Sequence, residues 1–62
     1  MYIKENDMEP KDYKVVKIEG EYATLKDINS GEELFITLFL LPEDIDIGTH
    51  LHYEDLQYEI AD

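Results

Sequence analysis

The sequence predicts a single small all-β domain of five strands, with a short helical turn or lid after the third strand. Runs of β-branched and aromatic residues at 13–19, 22–28 and 34–39 are separated by turn residues, which is typical of consecutive strands. No segment shows sustained helical periodicity. The 62 residues are too few to form two hydrophobic cores. We therefore expect one five-stranded barrel, SH3-like or OB-like, with its strands in meander order.

The first two strands are expected to form a hairpin around a two-residue turn at positions 20–21. Glycine at the first of these positions can adopt the positive φ that a type II′ turn requires. This turn predicts that Ile18 faces Ala23 and that Val16 faces Leu25.

A second turn is expected at residues 29–32, where Asn, Ser and Gly occur together. It predicts that Leu25 pairs with Ile36 and Ala23 with Leu38, on the same face as the pairs of the first hairpin. Because both turns give the same inner face, they support each other. That predicted face consists of Val16, Ile18, Ala23, Leu25, Ile36 and Leu38.

The chain after the third strand is expected to cap one end of the barrel. Pro42 is expected to open a helical turn or tight loop. The apolar residues that this lid is expected to bury are Leu41, Ile45 and Ile47. Two short strands are then predicted at 51–53 and 58–60, around a turn at 54–57.

Residues 1–12 are predicted to form a polar N-terminal arm, and residues 13–62 the single folded domain. The arm is expected either to be disordered or to lay Tyr2 and Ile3 on the domain. It has no apolar core run, so no signal peptide is expected. With no cysteine and no apolar stretch long enough for a membrane span, we expect a cytoplasmic protein.

The charge is strongly acidic, with a formal net value of −11 and five lysines but no arginine. Nucleic-acid binding requires clustered Lys and Arg, so we expect no direct nucleic-acid partner and, for the same reason, no binding to anionic membranes. The acidity fits a basic protein partner, and it also fits a simple requirement for solubility.

Several short motifs resemble a family of small acidic bacterial β-barrel proteins of unknown function. The motifs are the segment I-E-G-E-Y-A-T-L at 18–25, G-E-E at 31–33, L-L-P at 40–42 and G-T-H-L at 48–51. The chain departs from the family pattern at Thr49, where aspartate is usual, and at Leu56, where a glycine turn is common. The resemblance implies an SH3-like or OB-like barrel and carries no catalytic residues.

A metal site is the sharpest chemical hypothesis in the sequence. His50, His52 and Glu54 occupy alternate positions of one predicted strand, and two histidines at this spacing can present both imidazoles to zinc. If Leu51 and Tyr53 point inward, however, the histidines are ordinary solvent-facing residues. We therefore expect no cofactor, and we keep this trio as a weak zinc candidate.

Catalysis has little support in the sequence. Ser30 is the only serine and lies within a predicted turn, so no nucleophilic triad can be proposed around it. A small closed barrel also fills its interior with its own side chains and leaves no substrate pocket. We therefore expect a protein that is not an enzyme.

The outer face of the sheet is the candidate binding site. The predicted register places Val15, Tyr22, Phe35 and Phe39 outside the core, with Tyr22 opposite Phe39. These residues are covered either by the protein itself, through its arm, its lid or a second small core, or by another protein or a second copy. We expect a protein-binding or adaptor module. The alternative is an acidic mimic of nucleic acid that inhibits a basic protein.

Overall fold

The computed structural model describes residues 10–61 as one antiparallel β-sheet with almost no helix. This confirms the all-β class and the presence of five strands. The strands are β1 (Lys11–Glu19), β2 (Tyr22–Asp27), β3 (Glu33–Thr37), β4 (His50–Glu54) and β5 (Gln57–Ile60), with a 3₁₀ turn at Leu38–Leu40 after β3.

The order of the strands across the sheet is β3-β2-β1-β4-β5. The predicted meander is therefore wrong for the second half of the chain, because β4 pairs with β1 and not with β3. Within residues 10–61 the sheet is open, and β3 and β5 each have a single neighbouring strand. Closure into an SH3-like or OB-like barrel is not confirmed.

Residues 41–49 carry the chain from the end of β3 across the core to β4. Leu41 is buried and Ile45 packs against the core, which gives a physical reason for the crossing: it covers the inner face of the sheet. The Val15 amide donates to the Thr49 carbonyl at 2.9 Å, and the Gly48 amide donates to the Val15 carbonyl at 2.7 Å. These bonds bring the chain beside β1 just before β4 begins.

The predicted lid is confirmed for Leu41 and Ile45 and is wrong for Ile47, which is 61% exposed. A 3₁₀ turn precedes Pro42, and the tight turn predicted after this proline forms at residues 43–44. The Thr37 hydroxyl accepts a hydrogen bond from the Phe39 amide at 3.4 Å, and the Leu41 amide donates to the Leu38 carbonyl at 3.0 Å. Thr37 therefore ends the strand and caps the 3₁₀ turn.

The first hairpin forms as predicted near its turn and departs from the prediction farther along β1. Gly20 has a φ of +60°, and Ile18 pairs with Ala23. A β-bulge then inserts Val16 as an extra residue, so Leu25 pairs with Val15 and not with Val16. One inserted residue reverses which side chains point inward for the rest of the strand.

The second hairpin is shifted in register by two residues, and Leu25 pairs with Leu34 while Ala23 pairs with Ile36. The shift arises because the turn starts earlier than predicted. The Asp27 carboxylate accepts hydrogen bonds from the amides of Asn29 at 2.8 Å and Ser30 at 3.1 Å, and these hold the loop. A shift of two residues preserves which face each side chain occupies.

The core lies on one face of the sheet, beneath the crossing segment. Its buried residues are Tyr13, Val15, Ala23, Leu25, Leu41 and Leu51.

β1 begins at Lys11, two residues before the predicted start of the first strand. The predicted placement of Tyr2 and Ile3 lies outside the described residues. No helix within residues 10–61 is long and apolar enough to cross a membrane.

Candidate functional site

The outer face of β2 and β3 presents a stacked aromatic pair. The rings of Tyr22 and Phe35 are nearly parallel, with an angle of 10° between them and 5.1 Å between their centroids. Tyr22 is 48% exposed and Phe35 is 66% exposed, so the stack keeps a large part of its surface open to solvent. Because the two residues lie diagonally across adjacent strands, the sheet itself holds the rings in place.

Phe39 follows the end of β3, and we refer to Tyr22, Phe35 and Phe39 together as the aromatic face. Phe39 sits in the 3₁₀ turn and is 86% exposed. It does not lie opposite Tyr22 as predicted, because the register shift places Thr37 there. The backbone still holds the turn close to Tyr22, since the Leu38 amide donates to the Glu21 carbonyl at 2.8 Å.

Val15, the fourth residue predicted for this surface, is not part of it. Its side chain is 0% exposed and belongs to the core. The β-bulge at Val16 is the cause, because it turns Val15 to the inner face. The prediction was wrong for this residue, since neither turn signal in the sequence reveals a bulge in the middle of a strand.

An apolar groove adjoins the aromatic face at Phe39. It has a volume of about 420 Å³ and lies between the 3₁₀ turn and the crossing segment. Ile18, Leu38 and Ile45 form part of its walls, and Glu43 lies at its margin. The groove is a concave apolar neighbour of Phe39.

Carboxylates surround the aromatic face. Glu19 lies opposite Tyr22, and Glu33 lies two residues before Phe35 on the same face. Glu21 and Glu43 line the hollows next to Phe39.

We call the four glutamates around the aromatic face its rim. Two lysines lie among them, and each has a carboxylate close by. The Lys17 ammonium lies 3.4 Å from a Glu19 oxygen, and Lys26 lies opposite Glu33 in the sheet. Lys14 lies opposite Lys26 on the same face, so three lysines accompany Glu19 and Glu33 there. The additional negative charge comes from Glu21 and Glu43 beside Phe39.

A second cluster lies at the other end of the outer face, around His52. Its Nδ1 lies 2.8 Å from an Asp12 oxygen and its Nε2 lies 2.9 Å from a Glu54 oxygen. Hydrogen bonding to Asp12, and then to Glu54, raises the pKa of the His52 imidazole above its usual 6.5. Sequence reasoning missed Asp12, because the two residues are 40 positions apart and only the pairing of β1 with β4 brings them together.

The predicted metal trio is arranged differently from a metal site. Both ring nitrogens of His52 are engaged with carboxylates, one of which belongs to Glu54. His50 lies opposite Lys14 in the sheet, which places a cation and not a further ligand across from it. In the part of the chain that the structure describes, no group of three His, Asp or Glu side chains could hold a metal ion.

Three tyrosines pack together at the junction of β1, β4 and β5. The ring centroid of Tyr58 lies 4.7 Å from that of Tyr53 and 6.1 Å from that of Tyr13. Burial raises the pKa of Tyr58 to about 12 and also raises that of Tyr13. The phenols of Tyr58 and Tyr13 therefore remain neutral at physiological pH, and the three rings pack within or against the core.

Comparison with protein-family models, curated proteins and solved structures finds no match for this chain. The predicted resemblance to small acidic bacterial proteins of unknown function therefore stays a prediction. The aromatic face, its carboxylate rim and the His52 cluster are therefore the features of the molecule that bear on function.

Proposed function

We propose that this chain is a non-catalytic, cytoplasmic protein-binding module, and that the aromatic face binds a basic protein. The observation that carries the proposal is the exposed stack of Tyr22 and Phe35, with the still more exposed Phe39 in the 3₁₀ turn that follows β3. Aromatic residues at the centre of a surface, surrounded by polar groups, are typical of binding hot spots.

Charge favours a basic partner over a second copy of this chain. Each copy carries a formal charge of −11, so two copies repel each other as they approach. A basic surface is instead attracted by the glutamates of the rim. A Lys or Arg side chain placed over an aromatic ring also gains a cation–π contact.

The proposal is tested by capture from a lysate of the source organism at low and high salt, followed by a measured affinity for each purified partner. Wild type is compared with the double variant Phe35→Ser/Phe39→Ser. The matched control is Ile47→Ser/Leu56→Ser, which removes two apolar residues of similar exposure, 61% and 69%, outside the aromatic face. We expect one basic partner whose affinity falls at least a hundredfold in the first variant and stays within threefold in the control.

The alternative function, an acidic mimic of nucleic acid, gives the opposite pattern. Its binding depends on carboxylates and is screened by salt. If several basic proteins bind equally to wild type and to both variants, and all are released by salt, the aromatic face is not the site. If the control loses affinity as much as the Phe variant does, the proposal also fails.

A further inference from the structure

The free edge of β3 lies directly beside the aromatic face. β3 is the terminal strand of the sheet within residues 10–61, with β2 as its single neighbour. Hydrogen bonds in an antiparallel pair come from alternate residues. The Leu38 amide donates to the Glu21 carbonyl, and the Asp27 amide donates to the Glu32 carbonyl. These bonds fix the phase of the pairing, that is, which alternate residues of β3 bond to β2.

That phase determines which backbone groups face solvent. Leu34 and Ile36 direct their amides and carbonyls toward β2, and the Leu38 amide points the same way. Phe35 therefore directs both of its groups away from the sheet, and Thr37 directs its amide away, while its carbonyl begins the 3₁₀ turn. Such an edge is a template for one more strand.

The sequence of β3 does not protect this edge. Proteins commonly block exposed edges with proline or lysine, and β3, which reads Glu-Leu-Phe-Ile-Thr, contains neither. Its five residues span roughly 17 Å in extended form, so an extended segment of five residues pairs with its whole length.

We propose that a partner of this chain binds by adding an extended, basic strand to the β3 edge. This inference rests on the proposed function and specifies how the partner is held: backbone hydrogen bonds to Phe35 and Thr37 give affinity, and side chains give specificity.

The two faces of the added strand require different side chains. On the inner face it lies next to the half-buried Leu34 and Ile36, where apolar residues fit. On the outer face it lies next to Glu33 and Phe35, where Lys or Arg fits both the carboxylate and the exposed ring. A partner segment in which basic and apolar residues alternate meets both conditions.

The probe is an N-acetylated, C-amidated octapeptide of alternating Lys and Val, titrated into the ¹⁵N-labelled full chain. A second peptide of the same sequence carries N-methyl groups on alternate amides, which removes the donors along one edge. We expect the first peptide to slow hydrogen exchange at the Phe35 and Thr37 amides. We expect the N-methylated peptide to bind at least tenfold more weakly, and equal affinities would overturn strand addition.

Thr37→Pro is the variant that removes one outward-facing donor from the edge. The φ of Thr37 is −72°, which proline adopts without strain, and its amide is not used in pairing with β2. Thr37→Val keeps the amide but removes the hydroxyl that caps the 3₁₀ turn, so it controls for the lost cap. Ile60→Pro places a proline on β5, the opposite edge of the sheet.

We expect Thr37→Pro to weaken peptide binding at least tenfold, while Thr37→Val and Ile60→Pro stay within threefold of wild type. Unchanged binding in Thr37→Pro, together with loss in Phe35→Ser, would overturn strand addition and leave the aromatic face as the site. Unchanged binding in both would overturn the proposed function as well. A peptide-free dimer in sedimentation that Thr37→Pro abolishes would instead make a second copy the occupant and overturn the basic partner.

Discussion

The two faces of the sheet are built from alternating residues of the same strands, yet their apolar side chains have opposite fates. On the inner face, Val15, Leu25 and Leu51 are completely buried. On the outer face, Phe35 is 66% exposed, and Phe39, in the 3₁₀ turn that follows the same strand, is 86% exposed. The inner residues therefore stabilise the fold, and the outer residues are the ones that we propose bind a partner.

Leu25→Ala should produce the largest loss of stability among the changes considered. Leu25 is completely buried between Val15 and Leu34 in the sheet, so its truncation leaves a cavity. We expect the free energy of unfolding in urea to fall by about 2–5 kcal/mol.

The matched change on the other face is Phe35→Ser. It removes an exposed ring and one stacking contact, so we expect a loss of about 1 kcal/mol. Equal losses in the two variants would contradict the division between the faces.

Val15→Ala tests the β-bulge. Because the bulge turns Val15 inward and leaves Val16 as the extra residue, Val15→Ala should cost about 2 kcal/mol. Val16→Ala, at a half-buried position, should cost less than half as much. A larger loss in the Val16 variant would support the regular register without a bulge.

The turns of the first and last hairpins differ in a way that can be exploited. Gly20 supplies a positive φ in the first, whereas Asp55 and Leu56 adopt φ values of +56° and +65° in the last. A branched side chain is strained in this conformation, and glycine is not. Leu56→Gly should raise the free energy of unfolding by about 1 kcal/mol, whereas Gly20→Ala should lower it.

The pH dependence of stability distinguishes the two ends of the outer face. The pKa of His52 is raised in the folded protein by Asp12 and Glu54, so the folded protein holds the imidazole proton more tightly than the unfolded chain does. This stabilisation is fully present below pH 6.5 and is lost as pH rises through the raised pKa.

His52→Gln provides the reference for that measurement. Wild type should lose stability relative to His52→Gln as the pH rises above 6.5 and through the raised pKa of His52, as measured by urea unfolding at several pH values. A parallel pH profile for the two proteins would show that the His52 imidazole is not held by these carboxylates. Asp12→Asn should lower the pKa of His52 in an NMR titration.

The sequence was sufficient for features that local chemistry determines. The all-β class, the turn at Gly20 and the inward direction of Ala23 and Leu25 follow from turn residues and alternation. The bulge at Val16 was not predictable in this way, because the neighbouring bonds between Val15 and Thr49 form only when distant segments meet. The earlier start of the second turn was a missed local signal, since the Asp27 carboxylate bonds to the amides of Asn29 and Ser30.

The same distinction applies to the candidate site. Tyr22 and Phe35 were placed on the outer face correctly, because a register shift of two residues preserves the faces. Val15 was misplaced because a bulge of one residue moves side chains to the opposite face. The pairing of His52 with Asp12 was missed because it requires β4 to cross to β1, and no local signal indicates that crossing.

The most direct test of the aromatic face is to map where the alternating Lys–Val octapeptide contacts the ¹⁵N-labelled chain. The largest amide chemical-shift changes should lie at Tyr22 and along residues 33–39, and they should persist when salt screens the exposed charges. Changes centred on the His52 cluster or on β5, or changes that vanish with added salt, would contradict binding at the aromatic face.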